Sequence, residues 1–272
     1  MRANSSYHKS QTFVPILNKR GNVSLRRNQK IPYTIIQTFK YRRVPISMRH
    51  NLSKWITMNP EYDYVFFDDN DIKHYISNHS FKEFTFSKDK FIYAYNKIIP
   101  GAGKADLFRY LIMYDKGGCY MDIDTTCLCP LSHFIEPDDE VVSGIGERGD
   151  FHQWGLIYTP KHPFMKMALE IAVNNIIYEQ FIYNTRSLEY LCGPPCLDIA
   201  IKRILHLEQT YRFTSGKYLT HNITYTLLKG DFFDNNVAFK YKDYKKDLSS
   251  LHVNYWANQP IFHRASRTKK YN

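Results

Sequence analysis

No stretch of this sequence approaches the roughly 18–20 consecutive apolar residues that a membrane-spanning helix requires. The first residues also lack the apolar segment of a secretory signal. Cysteine is scarce, five in 272 residues, an odd number with no C-x-x-C pair. That excludes a disulfide framework and the common zinc modules, and free thiols in a reducing compartment are expected. Residues 101–104, Gly-Ala-Gly-Lys, are not a P-loop, because Ile98 stands where its first glycine belongs and Ala105 where Ser or Thr belongs. Asp69-Asn70-Asp71 lacks the glycine and distal glutamate of a calcium loop, and neither a nucleophile-elbow serine nor H-E-x-x-H occurs. No internal repeat is visible.

Acid is missing from both ends of the chain. Residues 1–30 hold seven Lys or Arg and residues 261–272 hold four, with no Asp or Glu in either stretch. These account for the whole formal charge of +11, so residues 31–260 are neutral. A nucleic-acid-binding fold places its basic stripe on folded elements. Basic ends on a neutral body instead indicate solvated or anionic-surface-seeking segments, and no specific nucleic-acid partner is expected. What is present in quantity is apolar and aromatic side chain, 43% and 16%, enough for one large domain with a substantial core. The expected organisation is a flexible basic leader over 1–30, one domain over 31–260 and a basic tail over 261–272. The expected location is cytoplasmic or peripheral to a membrane.

Within the neutral body, Ile31 to Phe39 reads as a buried strand, Val44 to Asn59 as a helix stopped at Asn59-Pro60, and Tyr62 to Phe67 as a second strand. Asp68 to Asp71 then caps a helix beginning near Ile72. This alternation predicts an α/β domain with a largely parallel sheet. A helix over Lys104 to Tyr114 ends at Gly117-Gly118 and leads into a strand over Cys119 to Thr125. Val141 to Gly144 and Trp154 to Thr159 are further predicted strands, and Pro163 to Tyr178 and Ile199 to Leu207 further helices. Gly193-Pro194-Pro195 between Cys192 and Cys196 reads as a turn, and no clear pattern emerges after Tyr211.

The chemistry concentrates at Tyr120-Met121-Asp122-Ile123-Asp124. On a strand, Asp122 and Asp124 would share a face while Met121 and Ile123 enter the core. Two adjacent carboxylates at the end of an apolar strand repel, and a hard divalent cation would offset that repulsion. The carboxyl end of a strand is also where open α/β sheets bind ligands. Asp-x-Asp alone is a common tripeptide, ordinarily a solvated or Lys/Arg-paired loop edge. Its setting is more specific, because Asp106 and Arg109 stand at i and i+3 on the helix just before it. Together these side chains offer acceptors for sugar hydroxyls, a cation for phosphate and a metal site.

Lys104-Ala105-Asp106-Leu107-Phe108-Arg109-Tyr110-Leu111 followed by Gly117-Gly118-Cys119-Tyr120-Met121-Asp122-Ile123-Asp124 resembles the DXD-containing sugar transferases of glycosyltransferase family 32. That family includes the yeast initiating α-1,6-mannosyltransferases and is related to the clostridial glucosylating toxins. The similarity begins at Ile31-Pro32, takes in Gln37-Thr38 and Asn59-Pro60-Glu61-Tyr62, and continues to His162-Pro163-Phe164 and Gly193-Pro194. It implies a GT-A fold, Rossmann-like, with a mixed central sheet. It also implies a nucleotide-sugar donor, a UDP- or GDP-sugar, with Mn²⁺ or Mg²⁺, and transfer of a hexosyl group with retention to a glycan, lipid or protein acceptor. By the same resemblance Asp106 and Arg109 contact the donor sugar, Tyr120 lies beside the donor, and Asp122 contacts ribose or sugar and metal-bound water. Asp124 ligates the metal, and an Ile36-Gln37-Thr38 turn lies against the base. Asp122, Asp124 and Arg109 are the implied catalytic residues.

Two segments depart from the family pattern. Gln153-Trp154-Gly155 stands where relatives have Asn followed by a small residue, and Asn254-Tyr255-Trp256-Ala257-Asn258-Gln259-Pro260 replaces a His-rich C-terminal signature. His252 is the expected further metal ligand, with Asn254 the alternative, and Glu147 is expected at the surface. A catalytically silent module binding glycan or nucleic acid, and a metal-dependent phosphodiesterase using the same aspartates, are the competing readings.

Overall fold

A computed structural model describes residues 13–239, 241–251, 257 and 259–263. The chain enters through β1 (Phe13–Pro15), reaches the first long strand β2 (Thr34–Thr38), and turns into β3 (Arg43–Pro45), which pairs antiparallel with β1. Helix α1 (Ile46–Met58) then leads to β4 (Asp63–Phe67). The expected flexible leader is therefore corrected for residues 13–30. Ile16 is fully buried, Lys19 bridges to Tyr64 on β4, and Gly21 N donates to Asp63. The segment covers the outer edge of β4, which would otherwise present unpaired backbone groups.

Helix α2 (Asp69–Asn78) starts earlier than the sequence suggested. Asp68 caps it by accepting from the backbone of Asn70 and Asp71, and the Asp71 side chain accepts in return from Asp68 N. Helix α3 (Lys88–Lys97), which the sequence reading did not anticipate, is capped by Ser87. Helix α4 (Gly101–Lys116) ends at Gly117, whose φ is +60°, and Gly118 follows at +94°. A Cβ on Gly118 would sit 2.5 Å from the Thr34 carbonyl oxygen, so only glycine lets the next strand lie beside β2. That strand is β5 (Gly118–Met121), followed by a turn and β6 (Thr125–Cys127).

Strands β7 (Val141–Gly144) and β8 (Gly155–Tyr158) precede α5 (Pro163–Tyr178), which opens with proline at its first position and His162 as its cap. Helix α5 packs against α3 and α4 and also against α7, so it is apolar around most of its circumference. Cys192-Gly193-Pro194 joins α6 (Glu189–Cys192) to α7 (Pro194–Ile204), so the expected turn is a helix–helix junction and α7 begins before Ile199. A hairpin, β9 (Gly216–Thr220) and β10 (Ile223–Leu228), occupies the region where no pattern was legible. Helix α8 (Gly230–Asn236), β11 (Val237–Phe239) and α9 (Tyr244–Ser250) follow. Residues 261–263 return to the end of α3, with Ile99 N donating to the Ile261 carbonyl.

The central sheet has seven strands in the order β4-β2-β5-β8-β7-β10-β9. It is mixed, as the GT-A resemblance implies, and not largely parallel. Pairs β2/β4, β2/β5 and β7/β10 are parallel, whereas β5/β8, β7/β8 and β9/β10 are antiparallel. Strand residues alternate between two cores. Ile36, Tyr120, Leu156 and Tyr158 face the core built with Leu107, Leu111, Ala168 and Leu169, while Ile35, Cys119, Met121 and Ile157 face one built with Leu52, Trp55 and Phe233. Among the described residues all five cysteines are free thiols, and no helix is long and apolar enough to cross a membrane.

Candidate active site

Chain order places the site. From β2 the chain moves outward to β4 and then returns past β2 to β5 on its other side. The crevice between the carboxyl ends of β2 and β5 is the point where the winding reverses, the usual ligand position in such sheets. Gln37 and Thr38 end β2 there, and Met121 ends β5 with Asp122 just beyond it. Thr38 Oγ1 and Tyr120 Oη lie 2.8 Å apart, and Gln37 Nε2 donates to the Asp122 carbonyl at 3.1 Å. Gln37 Oε1 accepts from Tyr64 Oη, so both ends of this wholly buried amide are engaged. Residues 36–38 are thus strand rather than the expected turn, and the Ile36 side chain points into the core.

Helix α4 brings Arg109 to the same place. Its Nη2 donates to Asp122 Oδ1 at 2.7 Å and lies 3.5 Å from Asp106 Oδ1, and its guanidinium stands 5.0 Å above the Tyr120 ring. Arg109, Asp106 and Tyr120 are buried, whereas the Asp122 side chain keeps 22% exposure and is the member of the set that faces outward. Burial pushes the Asp106 carboxyl up to about 6. Arg109 pulls it back, and Asp122 adds to the push. Burial also works against the charge of Arg109, but Asp122, Tyr120 and Asp106 outweigh it and the guanidinium stays protonated. Arg109 Nε is buried with no hydrogen-bond partner.

The DXD segment differs from the expected strand. Strand β5 stops at Met121, and Asp122 to Thr125 form a turn closed by Thr125 N donating to the Asp122 carbonyl at 3.0 Å. The same carbonyl accepts from Thr125 Oγ1 and from Gln37, so three donors hold the turn against the sheet. Asp122 N donates to the Trp154 carbonyl, continuing the β5–β8 ladder by one bond. Ile123 is buried in the core as expected, and the Asp124 carbonyl accepts from Tyr241 N. The two aspartates therefore stand two positions apart on a tight turn and do not alternate along a strand.

The donor chemistry suits a hard divalent cation. Asp122 and Asp124 supply carboxylate oxygens, and such an ion is commonly held by one or two carboxylates together with substrate phosphates and water. No group of three His, Cys, Asp or Glu that could hold an ion occurs among the described residues. His252 and Asn254 lie outside the described residues. Glu147 is exposed, as expected.

Sequence reasoning passed over several residues that the fold brings in. Gln153 accepts from Arg109 Nη1 and donates to Tyr110 Oη, and Asn51 donates to the Thr125 carbonyl from α1. In the sequence Gln153 stands out only as a departure from the family pattern, and nothing there points to a bond with Arg109.

Residues 45–142 match the family described as "Glycosyltransferase sugar-binding region containing DXD motif". This stretch is similar to a glycosyltransferase sugar-binding region. It spans α1 through β7 and contains Asp106, Arg109, Tyr120, Asp122 and Asp124. The chain is 33% identical over 107 residues to inositol phosphoceramide mannosyltransferase 3 of Schizosaccharomyces pombe, covering 38% of this chain and 28% of that protein. It is 24% identical over 225 residues to inositol phosphoceramide mannosyltransferase 2 of the same yeast, covering 76% and 59%. It is 30% identical over 129 residues to that yeast's initiation-specific alpha-1,6-mannosyltransferase, covering 41% and 32%. The chain thus spans between about a quarter and three fifths of these relatives. The PaToxG glycosyltransferase shares the fold, with a TM-score of 0.50 at 16% identity over 65% of this chain and 71% of that one.

Proposed function

We propose that the protein is a metal-dependent glycosyltransferase that moves a hexosyl group from a UDP- or GDP-sugar to a glycan, lipid or protein acceptor with retention. The observation that carries this reading is the set of Asp106, Arg109 and Asp122 gathered at the carboxyl ends of β2 and β5, with Asp124 two positions further along the turn. Asp106 and Asp122 offer acceptors to sugar hydroxyls, and Arg109 balances their charge. Gln37, Thr38 and Tyr120 hold the strand ends that carry this set.

Asp124 and Asp122 would hold Mn²⁺ or Mg²⁺, with His252 or Asn254 as the open choice for a further protein ligand. A bound cation supplies Lewis-acid stabilisation of the leaving diphosphate. Asp106 and Asp122 are both held by Arg109, so neither is presented as a nucleophile to the anomeric carbon. The reading is therefore front-face substitution. The bond from the anomeric carbon to the diphosphate oxygen breaks, the bond to the acceptor oxygen forms, and the acceptor proton passes to the departing phosphate. The names of the relatives make a mannosyl donor and an inositol phosphoceramide acceptor the first pair to try.

The test is to incubate the protein with a panel of UDP- and GDP-sugars in Mn²⁺ or Mg²⁺ and to measure nucleoside diphosphate release. Release from one donor, stopped by a chelator and restored by added cation, is expected. Failure to turn over any nucleotide sugar, with or without acceptors, would reject the reading.

A further inference from the structure

The side chain of Gln153 is 5% exposed, lies in the bend before β8, and has no part in the mechanism above. Its backbone carbonyl and its Oε1 both accept from Arg109 Nη1, at 3.1 and 3.4 Å. On the other side of the amide, Nε2 donates to Tyr110 Oη at 2.6 Å and reaches the Cys192 carbonyl at 3.5 Å. Tyr110 Oη in turn donates to the Gly193 carbonyl at 3.2 Å. The orientation of the amide follows from this network. A hydroxyl whose proton is committed to Gly193, and a carbonyl, both require a donor from Gln153, so the amide oxygen faces the guanidinium.

Arg109 needs such a constraint. Its Nη2 has two carboxylates within reach, Asp122 at 2.7 Å and Asp106 at 3.5 Å, while its Nε makes no hydrogen bond. A guanidinium able to swing about its last torsion would pair fully with one carboxylate and release the other. We propose that Gln153 is a positioning residue that locks the Arg109 guanidinium between Asp106 and Asp122 and ties that setting to the α6–α7 junction at Cys192 and Gly193. Its effect on turnover rests on the glycosyltransferase reading. Its effect on Arg109 does not.

A purely structural role is distinguishable. In Gln153→Met the shape is kept, Arg109 Nη1 retains the backbone carbonyl of residue 153, and Tyr110 retains Gly193, so the melting midpoint should move by only a few degrees. The direct readout is the nitrogen NMR signals of the Arg109 guanidinium, assigned by their loss in Arg109→Lys. In the wild type the Nη–H signals should be resolved, reporting slow rotation. In Gln153→Met, which loses the Oε1 acceptor and keeps the backbone one, rotation should quicken and the signals broaden, and in Gln153→Glu, which keeps an acceptor toward Arg109, they should sharpen again. Unchanged Arg109 signals in Gln153→Met would overturn the inference whatever the activity. With a nucleotide sugar that the wild type turns over, Gln153→Met should lower kcat about 10–100-fold, the range typical of residues that orient a ligating group. Adding Gln153→Met to Arg109→Lys should then cause little further loss, because both act through one side chain. Full multiplication of the two losses would also overturn the inference. An inactive wild type would reject the functional reading and leave the NMR result to decide on Gln153.

Discussion

Arg109 and Asp122 are 13 residues apart in sequence and joined at 2.7 Å. The first lies in the helix before β5 and the second in the turn after it, so the bond closes a loop around the glycine pair Gly117-Gly118. Helix, glycine turn, strand and acidic turn form one local unit whose two ends meet. The unit carries its own counter-charge, since Asp106 and Asp122 are both within reach of one buried guanidinium.

On the proposed reading, Asp124→Asn should abolish turnover, by more than about 100-fold, because it would remove a charged oxygen ligand from the cation. The fold should persist, since the bond to Tyr241 uses the Asp124 backbone carbonyl. Nucleoside diphosphate release and the melting midpoint, measured on the same sample, check both halves. A folded variant with undiminished activity would remove Asp124 from the metal shell.

Asp106 makes stability depend on pH. Its carboxyl is raised in the folded state from 3.8 to about 6 by burial. The folded form therefore holds that proton more tightly, and the contribution to stability is complete below 3.8 and is lost as pH rises through about 6. Asp106→Asn cannot titrate, so its melting midpoint should overtake that of the wild type increasingly from pH 4 to pH 7 and by a constant margin above. A margin that does not change with pH would show that burial leaves the Asp106 carboxyl unshifted between the unfolded and folded chain.

His162 acts in the opposite sense. Burial lowers its imidazole from 6.5 to about 3, with Glu140 opposing the shift, and Nδ1 accepts from Phe164 N as the cap of α5. Its contribution to stability is present above 6.5 and is lost as pH falls toward 3, at about 1.4 kcal/mol per pH unit within that window. His162→Asn keeps a cap acceptor without a titratable ring. The variant should lose less stability than the wild type between pH 6.5 and 4 in urea unfolding. Parallel pH profiles would assign the acid sensitivity elsewhere.

Deleting residues 1–30 should lower the melting midpoint markedly. The deletion removes the fully buried Ile16, worth about 2–3 kcal/mol in lost burial, and uncovers the edge of β4 at Tyr64. Exchanging Ile16→Ala in the full chain isolates the burial component. A truncated chain as stable as the whole would show that the packing seen for residues 13–30 contributes nothing.

Much of this protein is legible from short stretches of sequence. The α5 span from Pro163 to Tyr178, the strand at Val141 to Gly144, the acidic cap at Asp68 and the positive-φ glycines after α4 each follow from local periodicity, capping chemistry or steric need. The Asp106–Arg109 pair is legible for the same reason, since spacing on a helix is a local property. What tertiary structure alone decided is where those local pieces meet. The antiparallel register of β8 on β5 puts Trp154 against Asp122 and brings Gln153 to Arg109, although 44 residues separate the last two. The end of β5 at Met121 is likewise a tertiary outcome. There the chain leaves the ladder because the Asp122 carbonyl is taken by Gln37 and Thr125 and Ile123 is drawn into the core. Strand register and chain reversal are chosen by the simultaneous burial of two sheet faces, and no short window of sequence contains both.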